Sequence, residues 1–316
     1  VPDIIDTWNE GKVADVEGYY ENAKINRVYV DRVHVKKAFA EYTAAYNADD
    51  PKIKLKIDHT YRVAALCERI AKAAGMCAYD VELAWLSGML HDVGRFEQIK
   101  RYNTFSDADS VDHAKFGADL LFKDGLISTF LNGMVKCTGY KPGALEDRYS
   151  SDGVFLYDRL NKSDMEMLEL AIRCHNMYRI PQGLNRREQA FCNVLRDADK
   201  VDIFKVNIDT PLEEIYNTTT EELMKSDITD EVLEAFDEEH CILKAIRRTP
   251  ADTVIGHVSL AYELVYDESV RITVEQGYLA KLMHFHSDNE ETNRKMAMVR
   301  EKMDSYVKKR IGEKDA

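Results

Sequence analysis

Six side chains in this sequence have the types and spacing to do chemistry: His59, His91, Asp92, His113, His175 and Asp199. Each falls on the apolar side of a segment with helical periodicity. His59 stands one turn before Val63, and His91 follows Leu90 in the run WLSGMLHDVGRFEQ, residues 85–98. His113 shares a face with Gly117 and Leu120, and His175 with Ala171 and Leu168. Asp199, in VLRDADKVDIF, lies one turn after Leu195 and two after Cys192. Imidazoles and carboxylates withdrawn from water are costly unless hydrogen-bonded, paired or coordinated. A single buried histidine is ordinarily a hydrogen-bonded core residue. Four of them with two inward aspartates point to coordination, because a cation offsets the carboxylates while neutral imidazoles donate lone pairs. Neighbours on a helix point about 100° apart. His91 can therefore reach one ion while Asp92 swings between two.

Helices must position these groups. Residues 59–74 place Val63, Leu66, Cys67, Ile70, Ala71 and Ala74 on one face. Asp80 is placed to cap a helix running to about Glu97, Ser163 with Glu166 forms a capping box, and Thr210, Pro211 and Glu213 read as a third helix start. Asp288 with Glu291 opens the last helix, through Tyr306. Asp58 and Asp112 each precede a ligand histidine and read as N-caps, which puts both ligands at helix starts. The best strand candidate, NRVYVDRVHV at 26–35, fits a helix equally well. The expectation is an all-α protein without internal repeats.

The remaining sequence narrows the classes. No apolar run approaches the roughly 20 residues of a membrane span, and the first residues lack the pattern of a signal peptide. The formal net charge of −13 works against nucleic acid and anionic lipid, but not against a small anionic substrate in a local positive pocket. The six cysteines (67, 77, 137, 174, 192 and 241) form no CxxC pair and read as reduced thiols of a cytoplasmic protein, mostly buried. His34, His240, His257, His284 and His286 read as surface or satisfied core residues.

The ordered pieces DHTYRVAALCERIA, LSGMLHDVGRF, DHAKFGADLL, AIRCHN and RDADKVDIF resemble the HD superfamily of metal-dependent phosphohydrolases, over roughly residues 55–205. The resemblance implies an HD-domain helical bundle with its metal-binding core at 51–205; outside it, the expectation is an N-terminal helical extension at 1–50 and a C-terminal helical region at 206–316 packed on the core or on a second subunit of a homo-oligomer. It implies that His59, His91, Asp92 and Asp199 hold one divalent ion, with His113 and His175 adding a second that Asp92 bridges. The alternative is that His113 merely opens its helix behind Asp112 and the site holds one ion; the expected cofactor is thus one or two divalent ions, with Mn, Fe, Co, Mg, Ni and Zn as the candidates. Where the cyclic-dinucleotide branch carries two consecutive histidines, this chain has His175-Asn176, and that branch's Gly-Tyr-Pro signature is missing.

Phosphate-ester hydrolysis needs hydroxide at neutral pH and charge relief at phosphorus, both of which metal ions supply. Arg95 shares the face of His91 and reads either as a planar fork for a substrate phosphate or as an ordinary salt bridge. Arg101, Tyr102 and Thr104, on the segment between ligands, and Asn176, beside one, are the substrate-binding candidates. Lys200 reads as pointing to solvent. The leading expectation is a phosphohydrolase acting on a nucleotide or similar small phosphate ester. Its competitors are a di-iron oxygenase of the same superfamily and a non-catalytic regulatory module.

Overall fold

A computed structural model describes residues 27–47, 49–131, 135–138, 155–157, 162–216 and 218–312. Most of the N-terminal extension and most of the polar segment 137–153 lie outside the described residues. The chain divides into two compact units, Val1–Arg196 and Asp197–Ala316.

The class is all-α, with one small antiparallel patch. Segment 26–35 resolves its ambiguity by doing both: Arg27–Val30 is strand β1, and α1 follows at Arg32–Thr43, capped by the Asp31 side chain on the His34 N–H. Later strands β2 (Val135–Thr138) and β3 (Phe155–Tyr157) complete the patch in the order β1-β2-β3, with Val30 opposite Val135 and Val135 opposite Tyr157.

Helix α2 runs Pro51–Ala73 and buries His59, Val63, Leu66, Cys67, Ile70 and Ala71, the face its period predicts. Its cap is Asp50, which accepts from the Lys52 N–H, with Pro51 in the first turn. Asp58 therefore lies inside the helix and is not a cap, and His59 is a mid-helix residue. The predicted single helix to Glu97 is two: α3 at Ala78–Leu90 and α4 at Val93–Tyr102. The break falls at His91-Asp92, where Asp92 leaves helical geometry (φ −103°, ψ 15°) and α4 restarts with the Arg95 N–H on the Asp92 carbonyl. Asn103 ends α4 in the left-handed conformation, φ 51°. Helix α5, His113–Ala118, continues into a wider turn at Asp119–Lys123, and its cap is Asp112 on the Lys115 N–H, as expected. Then come α6 (Ile127–Leu131), α7 (Lys162–Cys174) and α8 (Arg186–Asp209). Helix α7 already includes Lys162, so Ser163 is not its cap.

Asp80 does not cap α3 either. It is buried, and the Arg187 guanidinium donates to both its oxygens (2.7–3.3 Å) while also lying 2.7 Å from buried Asp164. Burial raises the Asp80 pKa against the pull of Arg187. Removing one partner of such a group leaves uncompensated buried charge. Arg187→Met is expected to cost about 3 kcal/mol of stability, read as a lower urea midpoint.

An aromatic cluster holds α4 in place. Phe39 and Tyr42 of α1, with Tyr46, surround Phe96 at centroid distances of 5.5–5.9 Å. The Tyr42 hydroxyl donates to the Val93 carbonyl (3.1 Å), next to the helix break.

In the second unit, short helices α9 (Leu212–Tyr216), α10 (Thr220–Lys225) and α11 (Asp230–Asp237) precede α12 (Pro250–Val258), α13 (Asp267–Gln276), α14 (Tyr278–Met283) and α15 (Glu290–Ile311). Asn289, not Asp288, caps α15, accepting from the Glu291 and Thr292 N–H groups. The buried Asp197 carboxylate accepts from Val265 N, Tyr266 N and Ser269 Oγ and so anchors the start of α13. In the tyrosine-rich stretch the Tyr262 ring lies 4.9 Å from Phe236 and 4.8 Å from Tyr306, both within the second unit. Lys200 is buried rather than solvent-facing. His257 departs from both of its readings, because its Nδ1 is sealed from solvent and has no hydrogen-bond partner. Among the described residues no cysteine pair forms a disulfide, and no helix is long and apolar enough to cross a membrane.

Candidate metal centre

Five of the six predicted ligands converge in the first unit. Asp92, 2 % exposed, stands between two pairs of imidazoles. Its Oδ2 lies 3.6 Å from Nε2 of His59 and 3.6 Å from Nε2 of His91. Its Oδ1 lies 3.5 Å from Nε2 of His113 and 3.8 Å from Nε2 of His175. Within each pair the Nε2 atoms face one another, at 3.3 Å for His59 and His91 and 3.0 Å for His113 and His175. All four rings are buried. Asp199 is half-buried on α8, in the second unit.

Proton positions follow from the partners on the far side of the rings. His91 Nδ1 lies 2.8 Å from the Gly88 carbonyl and His175 Nδ1 lies 2.7 Å from the Ile172 carbonyl. Carbonyls only accept, so both Nδ1 atoms carry the hydrogen and both Nε2 atoms present lone pairs. His113 Nδ1 lies 2.7 Å from Asp107 Oδ2. Burial, reinforced by the nearby Arg95 charge, pushes the His113 pKa down to about 4, so it is neutral at physiological pH with its hydrogen on Nδ1. The Nε2 lone pairs of His113 and His175 are therefore opposed at 3.0 Å beside a carboxylate oxygen, with no proton between them. This is a poor hydrogen-bond arrangement and a good coordination shell. Nitrogens about 2.1 Å from one ion and at right angles to it are about 3 Å apart. Independently of the His59 side, His91, Asp92 and His175 each offer a donor atom within 4.8 Å of one another. The residues present fit a divalent metal.

Comparison with known proteins agrees with this geometry. The HD domain family model matches residues 57–244, more than half of the chain. The chain belongs to the HD-domain family. No curated protein and no solved structure matches it. HD domains bind divalent metals, and most are metal-dependent hydrolases. The match runs past the 55–205 stretch that motif order marks out and into the second unit.

The glycine two residues after the HD pair has a steric reason. A Cβ on Gly94 would lie 2.4 Å from the His113 carbonyl oxygen and 2.7 Å from the Gly117 nitrogen. Only glycine lets α5 come close enough to bring His113 to Asp92. Gly88 does the same between α3 and α2, where a Cβ would lie 2.6 Å from the Ala64 Cα. Gln98, fully buried, then ties the intervening segment to α4 by donating to Asp107, Ser110 and the Val111 carbonyl at 2.9–3.0 Å. That segment is structured and, through Asp107, holds the His113 ring in orientation.

The sequence reading missed two side chains here. Asp107 fixes the His113 ring and accepts from Arg95 Nη1 at 2.8 Å. Lys56 donates to Asp92 Oδ2 at 2.7 Å from one turn before His59. Burial alone would raise the Asp92 pKa, but Lys56, then His91, His113 and Arg95, hold it well below the carboxylate range. The aspartate is thus an anion, ready to coordinate. Asp107 belonged to a polar run, and Lys56 sat on what reads as a solvated helix position. Neither carries a local signal.

The other candidates are placed as follows. Arg95 Nη1 donates to Gln98, the Phe105 carbonyl and Asp107, and its Nε lies 3.7 Å from Asp92 Oδ1. Arg101 is bound to Glu97 on the exposed side of α4, Tyr102 is exposed at the end of that helix, and the Thr104 hydroxyl accepts from the Ser106 N–H. Asn176 donates to Asp112 at 2.9 Å and Asp107 at 3.3 Å, and so braces the α5 cap beside His113.

Proposed function

We propose that this chain is a phosphohydrolase that cleaves a phosphate ester of a nucleotide or similar small molecule through metal-activated water. In this reading His59, His91, Asp92 and Asp199 hold one divalent ion, and Asp92, His113 and His175 hold a second. The observation that carries it is a pair of imidazole Nε2 atoms facing each oxygen of one ionised carboxylate, with the lone pairs of His113 and His175 opposed. Such ions supply hydroxide at neutral pH and offset charge on the phosphoryl oxygens. Asp199 enters through motif order and through the family match, whose span includes it.

The chain's own residues do the rest. Asp92 presents one oxygen to each half of the centre, and Asp107 and the Gly88 and Ile172 carbonyls fix the ring orientations. Arg95, 14 % exposed and 3.7 Å from Asp92, is the cation that meets a phosphate oxygen at the centre's edge. Arg101, Tyr102, Thr104 and Asn176 form the outer contacts to the rest of the substrate. The reading places the enzyme in the cytoplasm, where its thiols stay reduced.

The test is phosphate release from a panel of nucleotides and simple phosphate esters with Mn²⁺, Co²⁺, Mg²⁺ or Fe²⁺. Turnover with at least one metal supports the reading. Iron-dependent O₂ uptake without phosphate release would replace it with an oxygenase, and failure to bind any metal would leave a regulatory module. Arg95→Ala is expected to raise KM for the ester about tenfold or more, from loss of a charge-assisted bond, with metal content changed little. An unchanged KM assigns Arg95 to the Asp107 salt bridge alone.

A further inference from the structure

Two cations, not one, address the central carboxylate. Lys56 Nζ lies 2.7 Å from Asp92 Oδ2, on the side of His59 and His91. Arg95 Nε lies 3.7 Å from Asp92 Oδ1, on the side of His113 and His175. Both also pack on Phe105, with Lys56 Nζ 5.4 Å and the Arg95 guanidinium carbon 5.8 Å from the ring centroid. The ring holds the two heads over the two halves of the centre. Lys56 is 17 % and Arg95 14 % exposed, enough to be reached from solvent without being freely hydrated.

The charges do not balance once cations occupy the imidazole pairs. Arg95 has a second carboxylate in Asp107, 2.8 Å away. Asp92, however, is the carboxylate partner of Lys56 and also the anion shared by both halves of the centre. Even with Asp199 counted beside Asp92, two negative charges do not offset Lys56 and two divalent ions together. The surplus positive charge is concentrated in a low-dielectric setting, where it selects strongly for anions. A phosphate monoester carries close to two negative charges near pH 7 and three acceptor oxygens, whereas a diester carries one charge and two such oxygens. From this, resting on the hydrolase reading, we infer that Lys56 is a substrate-phosphate residue acting with Arg95 across Phe105, and that this two-cation clamp makes the substrate a phosphate monoester rather than a diester.

The experiment uses the full chain loaded with whichever divalent metal supports turnover, or Mn²⁺ if none does. The probes are para-nitrophenyl phosphate, bis-para-nitrophenyl phosphate and inorganic phosphate. Wild type is expected to favour the monoester. Lys56→Met, which keeps length and loses charge, is expected to reduce the monoester-to-diester ratio of kcat/KM about tenfold or more, mostly through monoester KM, and to weaken phosphate binding in calorimetry by a similar factor. Lys56→Arg is expected to recover part of both. Bound metal per chain should match wild type.

A wild-type preference for the diester overturns the inference and leaves the hydrolase reading standing. Lys56→Met with unchanged phosphate affinity overturns it, as does a variant whose losses track missing metal, since that makes Lys56 a structural support of Asp92. Should neither these esters nor any nucleotide of the panel be turned over, the hydrolase reading fails, and the phosphate titration still decides what Lys56 does.

Discussion

Asp92→Asn is expected to lose both metal content and turnover, with the fold retained. The side chain keeps its shape and volume, but the anion facing four imidazoles becomes a neutral amide. The wild-type group is ionised because Lys56 and Arg95 oppose the cost of burial. Its two oxygens each serve a different imidazole pair, so one substitution removes a ligand from both halves. Loss of an outer partner of a metal ligand costs about 10–100-fold in affinity or activity, and loss of a shared inner ligand should exceed that. Metal analysis after dialysis and phosphate-release rates check it. Asp92→Ala adds a second effect, because it leaves Lys56 and Arg95 facing a cavity. Its stability should fall by about 3 kcal/mol, so the Asn variant separates lost chemistry from lost fold. An Asn variant with wild-type metal content and rate would remove Asp92 from the centre.

What the sequence made legible, and what it hid, divides by distance along the chain. The clustered histidines could be picked out because an ionisable group inside an apolar periodic run is a local anomaly: His91 after Leu90, His175 after Leu168 and Ala171. The break between α3 and α4 is hidden by the same run, whose apolar period continues through a residue that leaves helical geometry. Capping signals are local but ambiguous. Asp50 and Asp58 both precede helical sequence, and Pro51 is the feature that favours the first. Asp80 has the sequence context of a cap, yet its partner Arg187 lies 107 residues away, and no window of sequence contains that pairing. Lys56 and Asp107 are hidden for the same reason. A lysine at a helical position and an aspartate in a polar run look solvated until the fold sets them against Asp92 and His113.

Gly94→Ala tests whether the centre depends on the closeness of α5. The added methyl carbon would lie 2.4 Å from the His113 carbonyl oxygen, 2.7 Å from the Gly117 nitrogen and 2.9 Å from its Cα. These are backbone atoms, so no side chain can swing aside. Gly117 has no Cβ either, and one there would lie 2.9 Å from the Gly94 nitrogen. The two glycines form a single contact that is already as tight as backbone permits. Relief requires α5 to move as a body, by on the order of 1 Å, with overpacking costing roughly 1–3 kcal/mol. His113 opens that helix, so its Nε2 leaves the 3.0 Å register with His175. The His59 and His91 pair, carried on α2 and at the end of α3, stays in place. The expected result is a folded protein that keeps metal on the His59 side, loses it on the His113 side, and turns over about 10²-fold more slowly, as a 1 Å misplacement typically produces. Metal stoichiometry and rate are the measurements. Asp92→Asn strips both halves while Gly94→Ala strips one, and this difference separates a two-ion centre from a one-ion centre. If Gly94→Ala keeps wild-type stoichiometry and rate, His113 serves only the packing of α5 and the chemistry belongs to a single ion.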